Sequence, residues 1–90
     1  MTAEEYDLFT FDSTHAAIAA QALLEDFFPI VMPTLREIRA SCGMSLRLCP
    51  EKRKEALARM RESTESWQLW HVKSENGRPD CALIEEKRGT

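Results

Sequence analysis

The hydrophobic period of this 90-residue chain changes in a fixed order, and that order restricts the available folds more than any single residue does. Tyr6 to Phe11 (YDLFTF) is aromatic and compatible with a strand. Asp12 or Ser13 then offers an N-cap. From His15 to Phe27 the apolar positions Ala16, Ala19, Ala20, Leu23 and Phe27 recur every three or four residues, as one face of a helix requires. Pro29 breaks that pattern, and the run Ile30 to Met32, ended by Pro33, suits an edge strand. Thr34 and Glu37 stand at capping-box spacing and predict a short helical turn through Ile38 and Arg39. Met44, Leu46 and Leu48 alternate with Ser45 and Arg47, the period of a strand with one buried face. Pro50 opens a second helix whose inward stripe is Ala56, Leu57 and Met60, and Trp67 to Val72 reads as a closing strand.

Strand, helix, strand, strand, helix, strand is the order of the split βαβ, ferredoxin-like arrangement. The expected fold class is therefore α+β: a two-layer ferredoxin-like βαββαβ sandwich with an antiparallel sheet in the spatial order 4-1-3-2. Residues 1–73 are assigned to that domain. Residues 74–90 are assigned to a weakly ordered C-terminal extension, in which Ala82, Leu83 and Ile84 can dock as an extra strand. Two helices cover only one sheet face, yet the first strand carries Tyr6 and Leu8 on one side and Phe9 and Phe11 on the other. A homodimer through the open face is the economical cover, with the tail folding over as the other route.

Composition removes several function classes. With 43% hydrophobic and 30% charged residues, the chain has globular composition, favouring neither disorder nor a membrane class. No apolar run approaches the ~20 residues of a membrane helix. The N-terminus MTAEEYDLF is acidic where a signal peptide is basic, so a cytoplasmic location without membrane association is expected. A net charge of −3 gives no electrostatic reason to bind nucleic acid, and the RNA-binding RNP pattern is absent. Three cysteines form an odd set without CxxC spacing, which argues against a disulfide framework. His15 and His71 are too far apart in sequence to suggest a zinc site, and no metal or cofactor is expected.

The chemistry then turns on Cys42, in ASCGMSLRL. It can be a buried small residue, a metal ligand, half of a disulfide or a working thiol. In the expected topology Ser13, Thr14 and His15 share one rim of the sheet with Thr34 to Gly43, and Cys49 belongs on the opposite rim. Cys42 thus faces the N-terminus of the first helix. His15, Arg36, Arg39 and Arg47 are the candidates to add positive potential or a proton partner there. Gly43 can take a positive φ and admits a partner close to the backbone. The carbonyls ending the expected TLREIR turn work in the other direction. Free cysteine is also among the most buried residue types, and on the residues alone core filling is the commoner role. Cys49, before Pro50, has its own helix N-terminus. Cys81 reads as an exposed bystander on the tail, while Trp67 and Trp70 read as core or interface residues.

Three segments, FTFDSTHAAIAAQALL, VMPTLREIRASCGMSLRL and the proline-started helix, together resemble the selenium/sulfur (Se/S) carrier protein-like family, formerly a bacterial domain of unknown function. The resemblance spans roughly Tyr6 to Val72 and rests on STH after the first strand, PT-x-RE, and SCG followed by an apolar strand with arginine. It implies a small α+β domain that carries reduced sulfur or selenium, as a persulfide or selenopersulfide, on Cys42. In that reading Arg36, Arg39 and Arg47 hold the terminal anion and His15 tunes it. Its partners are sulfur or selenium donor and acceptor proteins, and the chain is a thiol carrier rather than a stand-alone enzyme. The chain departs from the family at Leu35, where a second proline often stands, and Cys49 and the tail with Cys81 fall outside the pattern. The alternative is a non-catalytic protein-interaction or small-ligand regulatory module, since a fold does not choose a function.

Overall fold

In the computed structural model, which describes residues 4–38, 40 and 42–89, five strands and two helices form a small α+β domain. They are β1 (Glu4–Phe11), α1 (Thr14–Leu23), β2 (Ile30–Pro33), β3 (Met44–Leu48), α2 (Arg53–Met60), β4 (Trp67–Glu75) and β5 (Arg78–Lys87). The strands make one sheet in the order β2-β3-β1-β4-β5, and every neighbouring pair is antiparallel. β1 is central, pairing Phe9 with Leu46 on β3 and with Leu69 on β4.

The period-two pattern of β1 explains the layers. Phe9 and Phe11 point to the helices, where they are buried with Leu46, Leu48, Trp67 and Leu69 against Ala16, Ala17, Ala20 and Leu24 of the α1 segment and Ala56, Leu57 and Met60 of α2. The Ser13 hydroxyl caps α1 by accepting the Ala16 N–H at 3.1 Å. The buried stripe of α1 differs from the expected one: Ala17 replaces Ala19, and Leu24 replaces Leu23 as the fully buried leucine. Alanine stands on every face of this helix, so its pattern carries little information about phase. The helix is also shorter than expected, giving way to a 3-10 turn at Glu25–Phe27 and then to Phe28 in the left-handed region (φ 52°, ψ 57°).

Tyr6 and Leu8 point to the other face, and the chain covers them itself. Ile38 is 4% exposed and forms a second buried cluster with Tyr6, Leu8 and Val72; Met32, Leu35, Trp70 and Cys81 pack against it. The connection between β2 and β3 thus covers the Tyr6 and Leu8 part of that face, while Leu83, level with Trp70 on β5, stays half-exposed. The connection does so without the expected capping-box helix: Arg36 and Glu37 form a turn and Ile38 a bend, while the end of that segment at Arg39 lies outside the described residues.

The C-terminal assignment also changes. β4 runs through Glu75, past the expected boundary at residue 73, and Arg78–Lys87 is a full strand rather than a weakly ordered extension. The hairpin turn is Asn76-Gly77, both at positive φ (54° and 78°), which is the backbone a two-residue primed turn demands. Ala82 and Leu83 pair with His71 and Trp70, and the register shift that follows leaves Ile84 unpaired. No helix among the described residues is long and apolar enough to cross a membrane.

Candidate functional site

The sheet rim at the end of β1 brings Cys42 to the head of α1. The Cys42 N–H donates to the Phe11 carbonyl at 3.2 Å, which fixes the backbone beside the strand that leads into the helix. Cys42 is only 5% exposed and belongs to the helix-face core; its sulfur has two polar neighbours. It accepts the Met44 N–H at 3.4 Å and lies 3.8 Å from the Thr14 hydroxyl in the first turn of α1. The Met44 N–H is a fixed donor to the sulfur, whereas the thiol and the Thr14 hydroxyl can each donate to the other.

Thr34 holds the neck of the connection that carries Cys42. Its N–H donates to the Gly43 carbonyl at 2.9 Å, and its hydroxyl donates to the Cys42 carbonyl at 3.0 Å. Because that single hydroxyl proton is used, the buried Ser45 hydroxyl supplies the proton for the 2.6 Å contact between the two side chains. Thr34→Val keeps the shape but leaves Ser45 and the Cys42 carbonyl without their partner. Denaturant unfolding of this variant should show a loss of about 1–3 kcal/mol, together with faster alkylation of Cys42; an unchanged midpoint would show that the clasp is idle.

The other residues proposed for the site are distributed differently. Gly43 is exposed, but its φ is not positive, and a Cβ added there would meet nothing within 4 Å, so its backbone conformation does not require glycine. His15 has its side chain 82% exposed and its Nε2 is 3.9 Å from Glu65, so its carboxylate neighbour is Glu65. Arg36 is exposed on the turn. Arg47 is engaged near the other end of β1, with its guanidinium 4.2 Å from the Tyr6 ring centre and 2.8 Å from the Glu4 carboxylate. Arg39 lies outside the described residues. Cys49 is exposed and immediately precedes the 3-10 turn at Pro50–Lys52, on the rim opposite Cys42. Cys81 is not on a loose tail but part of β5, packed against the second cluster. Burial, with help from Glu37 and Asp80, pushes its thiol pKa up.

A charged cluster at the other end of the helix face has its sequence signal in Asp7. Asp7 shares the inward parity of Phe9 and Phe11, and it is 1% exposed. A carboxylate there requires a partner. Arg53, at the start of α2, closes a two-pronged bond onto it, both prongs 2.7 Å. His71, directly opposite Asp7 on β4, places Nδ1 3.0 Å from Asp7 Oδ1 and 3.0 Å from Arg53 Nη2, and Nε2 3.0 Å from Glu5. Arg53 is only a donor and an ionised carboxylate only an acceptor, so Nδ1 must change role with protonation. The neutral ring accepts from Arg53 and donates to Glu5; the protonated ring donates to both carboxylates.

The hydrogen bonds to Asp7 and then Glu5 raise the His71 pKa above 6.5, against burial and the Arg53 charge. A raised folded-state pKa means that the His71 contribution to stability is complete below the unfolded value of about 6.5 and is lost as pH rises through the folded value. Urea midpoints of wild type and His71→Gln, followed between about pH 6 and about pH 9, should therefore converge on the alkaline side. A gap that is constant or widens with pH would contradict the placement.

Fold and site together describe a small α+β domain in which one buried thiol lies at a helix head; among the described residues no group of three or more histidine, cysteine or carboxylate side chains is placed to hold a metal. The family model described as "Putative Se/S carrier protein-like" matches residues 5–70, and the chain belongs to that family. No curated protein and no solved structure matched the chain.

Proposed function

We propose that the chain carries reduced sulfur or selenium as a persulfide or selenopersulfide on Cys42, passing it between donor and acceptor proteins in the cytoplasm, on a scaffold read as a ferredoxin-like βαββαβ core with an added strand. The observation that carries this reading is the position of the Cys42 sulfur at the head of α1, where it accepts the Met44 N–H and lies 3.8 Å from the Thr14 hydroxyl. A persulfide is more acidic than its parent thiol and carries its negative charge on the outer sulfur, so the contacts of Sγ position the loaded side chain while the charge falls to groups on the rim. Thr14 and Gly43 are exposed, so the thiol, though shielded, sits at the boundary of the core. Arg36 and Arg39 are the remaining arginines for the rim, since Arg47 is engaged elsewhere; His15 is a surface group there. The test is to incubate the protein with a cysteine desulfurase and cysteine, then locate the added sulfur by peptide mass spectrometry in wild type and in Cys42→Ser, Cys49→Ser and Cys81→Ser variants. Loading lost only with Cys42 is the expected result, and full loading of Cys42→Ser would sink the proposal.

One observation favours the interaction-module reading. Phe28 is 85% exposed and held in the left-handed region, a conformation that costs a bulky residue roughly 1–3 kcal/mol. Ile18, Ile30 and Val31 are also exposed. A chain that fails to load at Cys42 would leave this apolar surface as its functional feature.

A further inference from the structure

The three cysteines are placed so that no two can meet. Cys42 bonds the Phe11 backbone at one end of β1, whereas Cys49 follows Leu48, whose register partner is Asp7. Cys81 is opposite Val72, which is opposite Tyr6. Cys49 and Cys81 therefore both lie about five strand residues from the Cys42 level, which is roughly 16 Å at about 3.3 Å per residue. Cys49 and Cys81 are separated from each other by three strand spacings, about 14 Å. A disulfide needs Cα atoms within about 7 Å. Burial agrees with the register: Cys42 belongs to the helix-face cluster and Cys81 packs on the opposite face.

Resting on the carrier reading, we infer that sulfur leaves Cys42 by transfer of the outer sulfur to a thiol of the acceptor, with no resolving cysteine in this chain. The acceptor thiolate attacks the outer sulfur of the Cys42 persulfide and a new S–S bond forms on the acceptor. The bond between that sulfur and Cys42 Sγ breaks, its electron pair stays on Sγ, and Cys42 returns as a thiolate. The acceptor becomes a persulfide, and no external oxidant or reductant is consumed. The competing route has a second cysteine of the same chain attack Sγ, expelling hydrosulfide and leaving an internal disulfide that a two-electron reductant must reopen. The sheet register closes that route. The partner is therefore a protein that presents a nucleophilic thiol to the Thr14–Gly43 rim, and the reaction that consumes the product is one that uses a protein persulfide.

The experiment loads the full native chain with inorganic polysulfide, maps the loaded cysteine, removes excess reagent, and adds glutathione as the acceptor thiol. Mass spectrometry and a hydrosulfide assay read the products at early times. The expected result is a Cys42 persulfide that is stable alone, yields glutathione persulfide on addition of thiol, and behaves identically in the Cys49→Ser/Cys81→Ser double variant. Native monomer lighter by two hydrogens, with Cys42 paired to Cys49 or Cys81 and hydrosulfide released before glutathione is added, overturns this inference and leaves the carrier reading standing. A native chain that takes no sulfur on Cys42 overturns the carrier reading and this inference with it.

Discussion

Arg53→Met is expected to destabilise the domain by about 3 kcal/mol, because it leaves the Asp7 carboxylate uncompensated in the core. Asp7 is buried beneath the helices and both its oxygens are bonded by Arg53 at 2.7 Å. The guanidinium itself retains partial contact with solvent, its side chain being 33% exposed, which sets the expectation at the lower end of the range for breaking a buried pair. Such a loss is a large fraction of the roughly 5–15 kcal/mol that holds a domain together. His71 remains within reach of Asp7 and offers partial compensation when protonated, so the deficit should grow as pH rises. Asp7→Asn in the same background should recover part of the loss by removing the unpaired charge. Denaturant unfolding of the two single variants and the double variant forms a cycle, and an Arg53→Met midpoint indistinguishable from wild type would contradict the assignment.

Trp67→Ala should cost about 3–5 kcal/mol, the usual range for emptying a buried aromatic position. Trp67 joins both layers: its ring meets Phe9 edge-on, with centroids 5.6 Å apart at 77°, and its Nε1–H donates to the Met60 carbonyl at 2.9 Å. That carbonyl ends α2 and also accepts the Ser63 N–H at 3.0 Å, so the indole shares it with the turn that leaves the helix. Trp67→Phe separates the two contributions, since it retains much of the apolar volume and removes the bond; a loss nearer 1 kcal/mol is expected for the bond alone, with some further cost from the missing ring volume. Equal effects of Phe and Ala in unfolding experiments would show that ring packing contributes little.

The parts of the fold legible in the sequence are those in which residue pattern and geometry coincide. Met44, Leu46 and Leu48 alternate and form β3, and the stripe of Ala56, Leu57 and Met60 is the buried face of α2. The phase of α1 was not legible because alanine occupies every face, so burial of Leu24 in place of Leu23 is set by the sheet it meets. β5 was read only as a docking strand at Ala82 to Ile84, although Asn76-Gly77 between two extended runs is a strong hairpin signal; the charged residues flanking that apolar run, appropriate to a sheet edge, concealed its full length. At the site, the proximity of Cys42 to the first turn of α1 followed from topology, but the partner proved to be Thr14, while His15 turns toward Glu65. Sequence distance also misled for Arg47. Five residues of extended chain place it far from Cys42, beside Tyr6 and Glu4. Asp7 on the inward side of an aromatic strand was the readable sign of the charged cluster, and only its partners required the fold.

The central claim concerns one sulfur atom on one side chain, so the most direct measurement uses a chain in which Cys42 is the sole cysteine. The Cys49→Ser/Cys81→Ser protein, given a desulfurase and cysteine and then separated from them, should hold one cyanide-reactive sulfur per chain. It should lose that sulfur when Cys42 is also replaced by serine. A Cys42-only protein that is folded and carries no cyanide-reactive sulfur would contradict the account.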